Sequence, residues 1–165
     1  MIDFFNNFFN KEKAKILNLK DLKRKNFEAI DFYSSDTARQ MKIDNTPPIE
    51  LLPNGMLLAD AIQELRDAID LPIVITSGYR CDKLNQAIKG SPNSSHKQFL
   101  ACDISTPSLT PRQLVLKIKA SNIKVHRVLE EAKIVHFQIH PDKTQYQNFY
   151  GFAELFNNKW IVRQI

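Results

Sequence analysis

The stretch SPNSSHKQFLACDIS, residues 91–105, joins a Ser/Asn-rich turn to a short apolar run. It places His96 in the turn and Asp103 seven residues later. FLACDIS reads as a strand, so an imidazole enters from a turn and a carboxylate from the strand that follows it. Both are good metal ligands. The spacing alone equally allows Asp103 a capping role in a turn, and the rest of the chain has to decide.

Working outward, LPIVITSGYR at 71–80 is a β-branched run closed by Ser-Gly, which predicts a strand delivering Tyr79 and Arg80 at its end. DKLNQAIKG then predicts a short helix ended by Gly90 in a left-handed conformation. Upstream, NGMLLADAIQELRDAID at 54–70 carries Met56, Leu57, Ala61, Ile62 and Leu65 at helical spacing, a core-facing helix. FYSSDTARQM offers Ser/Asp caps for a short helix, and the paired prolines of IDNTPP, 43–48, predict a loop. Downstream, TPRQLVLKIKASN predicts a helix with Pro111 in its first turn, KVHRVLEEAK and IVHFQIH two strands, and FAELFNNKWIVRQI the closing segment.

Strands and helices without regular βαβ alternation give an α+β domain, a mixed or antiparallel sheet with flanking helices. We place it at residues 34–165, preceded by an N-terminal helical extension at 1–33. Residues 2–32 read as one or two amphipathic helices, with Phe4, Phe5, Phe8 and Phe9 on one face.

The bulk numbers suit a globular chain of 165 residues, 43% hydrophobic and 25% charged, with no apolar run long enough to span a bilayer. The net charge of +5 is local: residues 11–25, KEKAKILNLKDLKRK, hold seven Lys/Arg against two Asp/Glu, and the other residues balance. A solvated helix face accounts for such a run, and nucleic acid is not an expected partner. Cys81 and Cys102 form no CxxC pair; each suits a small buried side chain, with a bridge between them open. MIDFFNNFFNKEKAK is no secretory signal, because its charges follow the apolar residues.

In IVHFQIH, Val135, Phe137 and Ile139 share a core face, while Ile134, His136, Gln138 and His140 share a face that can line a cleft. At about 3.3 Å per residue, His136 and His140 lie roughly 13 Å apart, so only one can join His96 and Asp103 on one ion. Two histidines and an aspartate leave the fourth position of a catalytic zinc for water.

Several ordered motifs identify a family. Ser77-Gly78-Tyr79-Arg80, Asn85, Gly90, Ser94–His96 and Ala101–Ile104 together resemble the zinc D-Ala-D-Ala carboxypeptidase-like peptidoglycan peptidases, the M15 peptidases, in their phage and prophage branch. Thr37-Ala38, the Ile43–Pro47 segment and Ile134-Val135-His136 extend the resemblance over about 34–140. It implies a hedgehog-like zinc peptidase fold, with His96, Asp103 and His136 as the zinc ligands. Arg80 would bind a substrate carboxylate or carbonyl oxygen, with Ser94 beside it. Glu131 is implied as the carboxylate that takes a proton from water and returns it to the leaving amine, with Glu130 as the choice of another register.

Three positions depart from the family pattern. Phe99 stands where relatives have Gly, Ile134 where they have Trp, and Lys133 where some have a catalytic acid. The resemblance implies hydrolysis of stem or cross-bridge peptides of bacterial peptidoglycan, as a carboxypeptidase or an endolysin-like endopeptidase. It also implies synthesis in the cytoplasm and action at the cell wall or periplasm after phage-type release or delivery. The alternative is a non-catalytic zinc-containing relative that binds peptidoglycan or, through its N-terminal extension, a phage structural partner.

Overall fold

The structure, a computed structural model, describes residues 17–156 and 159–165. Among them six strands form one sheet, ordered β1-β2-β4-β3-β5-β6. These are β1 Val74–Ser77, β2 Ala101–Ser105, β3 Arg127–Glu131, β4 Ile134–Gln138, β5 Phe149–Phe156 and β6 Lys159–Gln164. Only β3 and β5 pair in parallel. Four α-helices accompany them among the described residues: α1 Asp36–Gln40, α2 Leu52–Ile69, α3 Asp82–Ala87 and α4 Pro111–Ala120. The fold is α+β with a mixed sheet, as the sequence predicts. No described helix is long and apolar enough to cross a membrane.

One sheet face is the core. Val135 and Phe137 are fully buried, while Ile134, His136 and Gln138, on the other face of the same strand, are half-buried. α4 packs on β3, β4 and β5 and against α2. Leu58, Ile62 and Leu65 of α2 and Leu114, Val115 and Ile118 of α4 join Cys102, Ile104, Val128, Val135 and Phe137 in one cluster. Each large side chain so buried contributes about 1.5–3 kcal/mol by leaving water. The buried stripe of α2 runs through Leu58, Ile62, Leu65 and Ile69, with Met56, Leu57 and Ala61 only partly covered. The sequence pattern thus finds the helix but sets its inward face slightly off, because apolar residues continue round its flank.

α4 starts as its sequence asks, with Pro111 in the first turn and a capping box between Thr110 and Gln113. The end of α3 differs from expectation. The left-handed residue is Lys89 (φ 57°), and no glycine has positive φ. Gly90 is needed for space, since a Cβ there would lie 2.2 Å from Asn85 Oδ1.

Residues 19–22 and 29–32 are 3-10 turns rather than amphipathic α-helix. Leu22, Phe27 and Phe32 are buried in the main core cluster. Leu22 lies beside Gly55 of α2, where Arg24 donates to Asp60 Oδ1 at 2.6 Å and to the Met56 carbonyl at 3.1 Å, and Phe27 packs on Phe32 with ring centroids 5.9 Å apart. The phenylalanine stripe at residues 4–9 lies outside the described residues.

Candidate metal centre

The turn that leaves β1 is fixed first. Gly78 lies so close to Phe32 that a Cβ would meet the Phe32 carbonyl oxygen at 1.9 Å, and the Tyr79 amide donates to that oxygen at 2.8 Å. Asn45 clamps the same turn: its Nδ2 donates to the carbonyls of Tyr33 and Tyr79, and its Oδ1 accepts from the Cys81 amide at 2.8 Å. Asn85 Nδ2 donates to the Ser91 carbonyl at 2.9 Å and so ties α3 to the turn that carries His96. The two asparagines flagged by the motifs are thus buried positioning groups.

The sheet supplies the rest. Asp103 of β2 stands directly opposite His136 of β4, and His136 opposite Leu129 of β3, all on the face away from the core. His96 comes over this row from its turn. His96 Nε2, Asp103 Oδ1 and His136 Nδ1 form a triangle with sides of 3.2, 3.1 and 3.3 Å. His140 lies beyond the end of β4, where its Nδ1 accepts from the Asp142 amide at 3.1 Å and its ring packs on His126.

The donor set fits a metal ion. A tetrahedral zinc with ligands at about 2.0–2.1 Å places neighbouring donor atoms about 3.3 Å apart. His96 Nδ1 donates to the Gly78 carbonyl at 2.7 Å, which leaves its Nε2 as a lone pair facing the carboxylate. Burial pushes the His96 imidazole below its ordinary value despite the pull of Asp103, so the ring is neutral. Burial alone would raise the Asp103 carboxyl, but the imidazoles of His136 and His96 outweigh it and hold the group well below the usual carboxylate range. A carboxylate and an imidazole lone pair face to face across 3.2 Å are relieved by a cation between them. The triad is the one group of three such side chains that could hold a metal among the described residues.

A cleft of about 290 Å³ opens above it, lined by Arg80, Ser94, Arg127, Glu131 and Gln138 besides the triad. Glu131 and Glu130 are separated as strand parity requires. Glu131 faces the cleft, and Glu130 is turned to α4, where Arg112 Nε donates to it. Two residues, Ala132 and Lys133, make the β3–β4 turn, with Ala132 at φ 38°. That tight hairpin sets the register. Lys133 is exposed in the turn, outside the cleft.

Arg80 donates through Nε to Ser77 Oγ at 2.9 Å and through Nη2 to Asp103 Oδ2. Ser94 reaches the cleft wall. Arg127 and Gln138 also line it, and the sequence reading had not singled out Arg127. The period-2 parity of RVLEE, which puts Arg127, Leu129 and Glu131 on one face, is the signal that finds it. Cys81 and Cys102 are free thiols, and burial pushes the Cys102 thiol well up.

Fold and site define an α+β domain whose cleft holds a three-residue cluster that could bind a metal ion. The family model of Peptidase M15 matches residues 25–138, well over half of the chain, and the protein belongs to that family. The match includes all three cluster residues and ends with β4. No curated protein matches the chain.

Proposed function

We propose that this protein is a zinc-dependent peptidase that hydrolyses peptide bonds in the stem or cross-bridge of bacterial peptidoglycan. The observation that carries the reading is the His96–Asp103–His136 triangle, open to a cleft that also holds Glu131. Zinc held there would lower the pKa of a water molecule and polarise the scissile carbonyl.

The chain's own groups supply the remainder. Glu131 accepts the proton of the attacking water and delivers it to the leaving amine, a role usually worth 10²–10⁴ in rate. Arg80 fixes the outer oxygen of Asp103 and turns its remaining donors toward the substrate's carbonyl oxygen, where negative charge develops. Ser94 offers a hydroxyl to the peptide backbone. A cleft of serine, asparagine, glutamine and arginine suits a polar peptide better than an apolar ligand. The wall peptide as substrate rests on the ordered motifs from Ser77 to Ile104. Synthesis in the cytoplasm with delivery to the wall by a phage-type route belongs to the same reading.

The test is incubation of purified sacculi with the zinc-loaded protein while new amino groups are counted. Their release, stopped by a chelator and restored by zinc, is the expected result. Sacculi left intact under every metal condition would end the proposal.

A further inference from the structure

Arg127 is the cation in this cleft that has no anion. Arg24, Arg39, Arg66, Arg80 and Arg112 each pair with a carboxylate. No carboxylate among the described residues pairs with Arg127. Its Nε is buried and has no hydrogen-bond acceptor. Its guanidinium carbon lies 5.4 Å from the centre of the Phe149 ring, so the side chain rests on an aromatic face. A buried donor without a partner costs about 1–3 kcal/mol and calls for an explanation.

The sheet register says what the partner would be. Arg127 stands opposite Gln138, and Leu129, two residues on, stands opposite His136. Arg127 is therefore the diagonal neighbour of His136, and such neighbours lie about 7–8 Å apart. Glu131 flanks the same row from the other side, opposite Ile134. The cluster thus sits between a carboxylate and a guanidinium that share one strand face. Arg80, the other cleft arginine, is already committed to Asp103 and Ser77.

We propose that Arg127 binds the free C-terminal carboxylate of the substrate, so that the bond next to the C-terminus lies over the metal cluster and the enzyme is a carboxypeptidase. This rests on the peptidase reading and narrows it. A guanidinium fork matches a carboxylate, and an orphaned Nε on one edge of that fork is the donor such a ligand satisfies. A side-chain carboxylate of the wall peptide offers the same chemistry, and the test separates the two sources.

The experiment compares three forms of one stem peptide: free acid, C-terminal amide, and a form amidated only at its side-chain carboxyl. For the zinc-loaded wild type, kcat/KM should fall about 10- to 100-fold on C-terminal amidation, mainly through KM, the scale of a lost charge-assisted hydrogen bond. Side-chain amidation should change little. Arg127→Met should lose the preference for free acid over amide, and Arg127→Lys should restore part of it. Equal cleavage of acid and C-terminal amide by the wild type overturns the proposal and leaves the peptidase standing. Sensitivity to the side-chain amide alone overturns it as well. If wild type cuts none of the three, the carboxypeptidase assignment is overturned, and the digestion of sacculi decides the peptidase reading separately. Calorimetric binding of acid and amide to wild type and Arg127→Met then decides Arg127 separately: equal affinity for acid and amide overturns its role.

Discussion

Arg80 and Asp103 form an ion pair across the mouth of β1 and β2, with the guanidinium on Oδ2 while Oδ1 faces the two histidines. One carboxylate therefore has two distinct oxygens, one turned to the arginine and one to the two imidazoles. Ser77 Oγ holds the arginine's Nε at 2.9 Å, so the Ser-Gly-Tyr-Arg turn orients the Asp103 carboxylate, which it does not itself supply. An outer partner of this kind fixes ligand direction and tunes affinity.

Arg80→Met should consequently weaken zinc binding by about 10- to 100-fold, the usual effect of losing a ligand's outer partner. Competition with a chromogenic chelator measures it. An unchanged affinity would mean that the ion pair does not orient Asp103.

The two adjacent glutamates should behave differently. Glu131→Gln should keep zinc bound and slow turnover by about 100-fold or more, since it removes the carboxylate proposed to carry the proton. Glu130→Gln breaks only a partly exposed pair with Arg112, worth about 0–1 kcal/mol, and should leave turnover unchanged. Steady-state kinetics with metal analysis on both variants would reverse the assignment if the losses were exchanged.

The metal-free protein should lose stability in acid. In the folded state burial holds His96 below its ordinary imidazole value of 6.5. The unfolded chain therefore binds that proton first, and the stabilisation present above 6.5 drains away as pH falls toward the folded value. His126, also lowered by burial, acts in the same direction. Melting temperature should drop as pH falls below the ordinary imidazole value of 6.5, and zinc affinity should drop with it as protons compete for the ligands. A melting temperature that rises on acidification would contradict the neutral, buried His96.

Phe99, where the resemblance implies glycine, has its own structural account. It has φ 58°, a left-handed backbone that glycine adopts without cost, and it is fully buried. Its ring packs on Tyr79 with centroids 5.3 Å apart and lies over Gly55, where a Cβ would meet it at 2.5 Å. Phe99→Gly would relieve about 1–2 kcal/mol of backbone strain but forfeit about 3–5 kcal/mol of burial and packing. A net destabilisation of about 2–3 kcal/mol, read by chemical denaturation, is the expected outcome, and a stabilised variant would show that strain dominates.

Much of this was legible in the chain because period and punctuation agree. The alternation of IVHFQIH sets Val135 and Phe137 inward and His136 outward, and the distance along the strand removes His140. Parity in LEE separates Glu131 from Glu130, although only the two-residue turn after them decides which one faces the cleft. The roles of Asn45 and Asn85 were not readable in advance. Asn45 satisfies the carbonyls of Tyr33 and Tyr79, far away in sequence, and Asn85 reaches Ser91 across the end of its own helix; no local pattern encodes either pairing. The described part of residues 2–32 misled for a related reason: its apolar spacing suits a helix, but burial of Leu22, Phe27 and Phe32 in the main core outweighs helix propensity. Gly90 was expected for its backbone freedom and proves necessary for its missing side chain.

The most direct test of the central claim is digestion of purified muropeptides by the zinc-loaded protein, read by mass spectrometry, beside the chelated protein and the Asp103→Ala variant. A mass loss that requires both zinc and Asp103 is the predicted result, and the lost fragment names the bond. The same loss from the chelated protein or from Asp103→Ala would contradict a metal centre built on His96, Asp103 and His136.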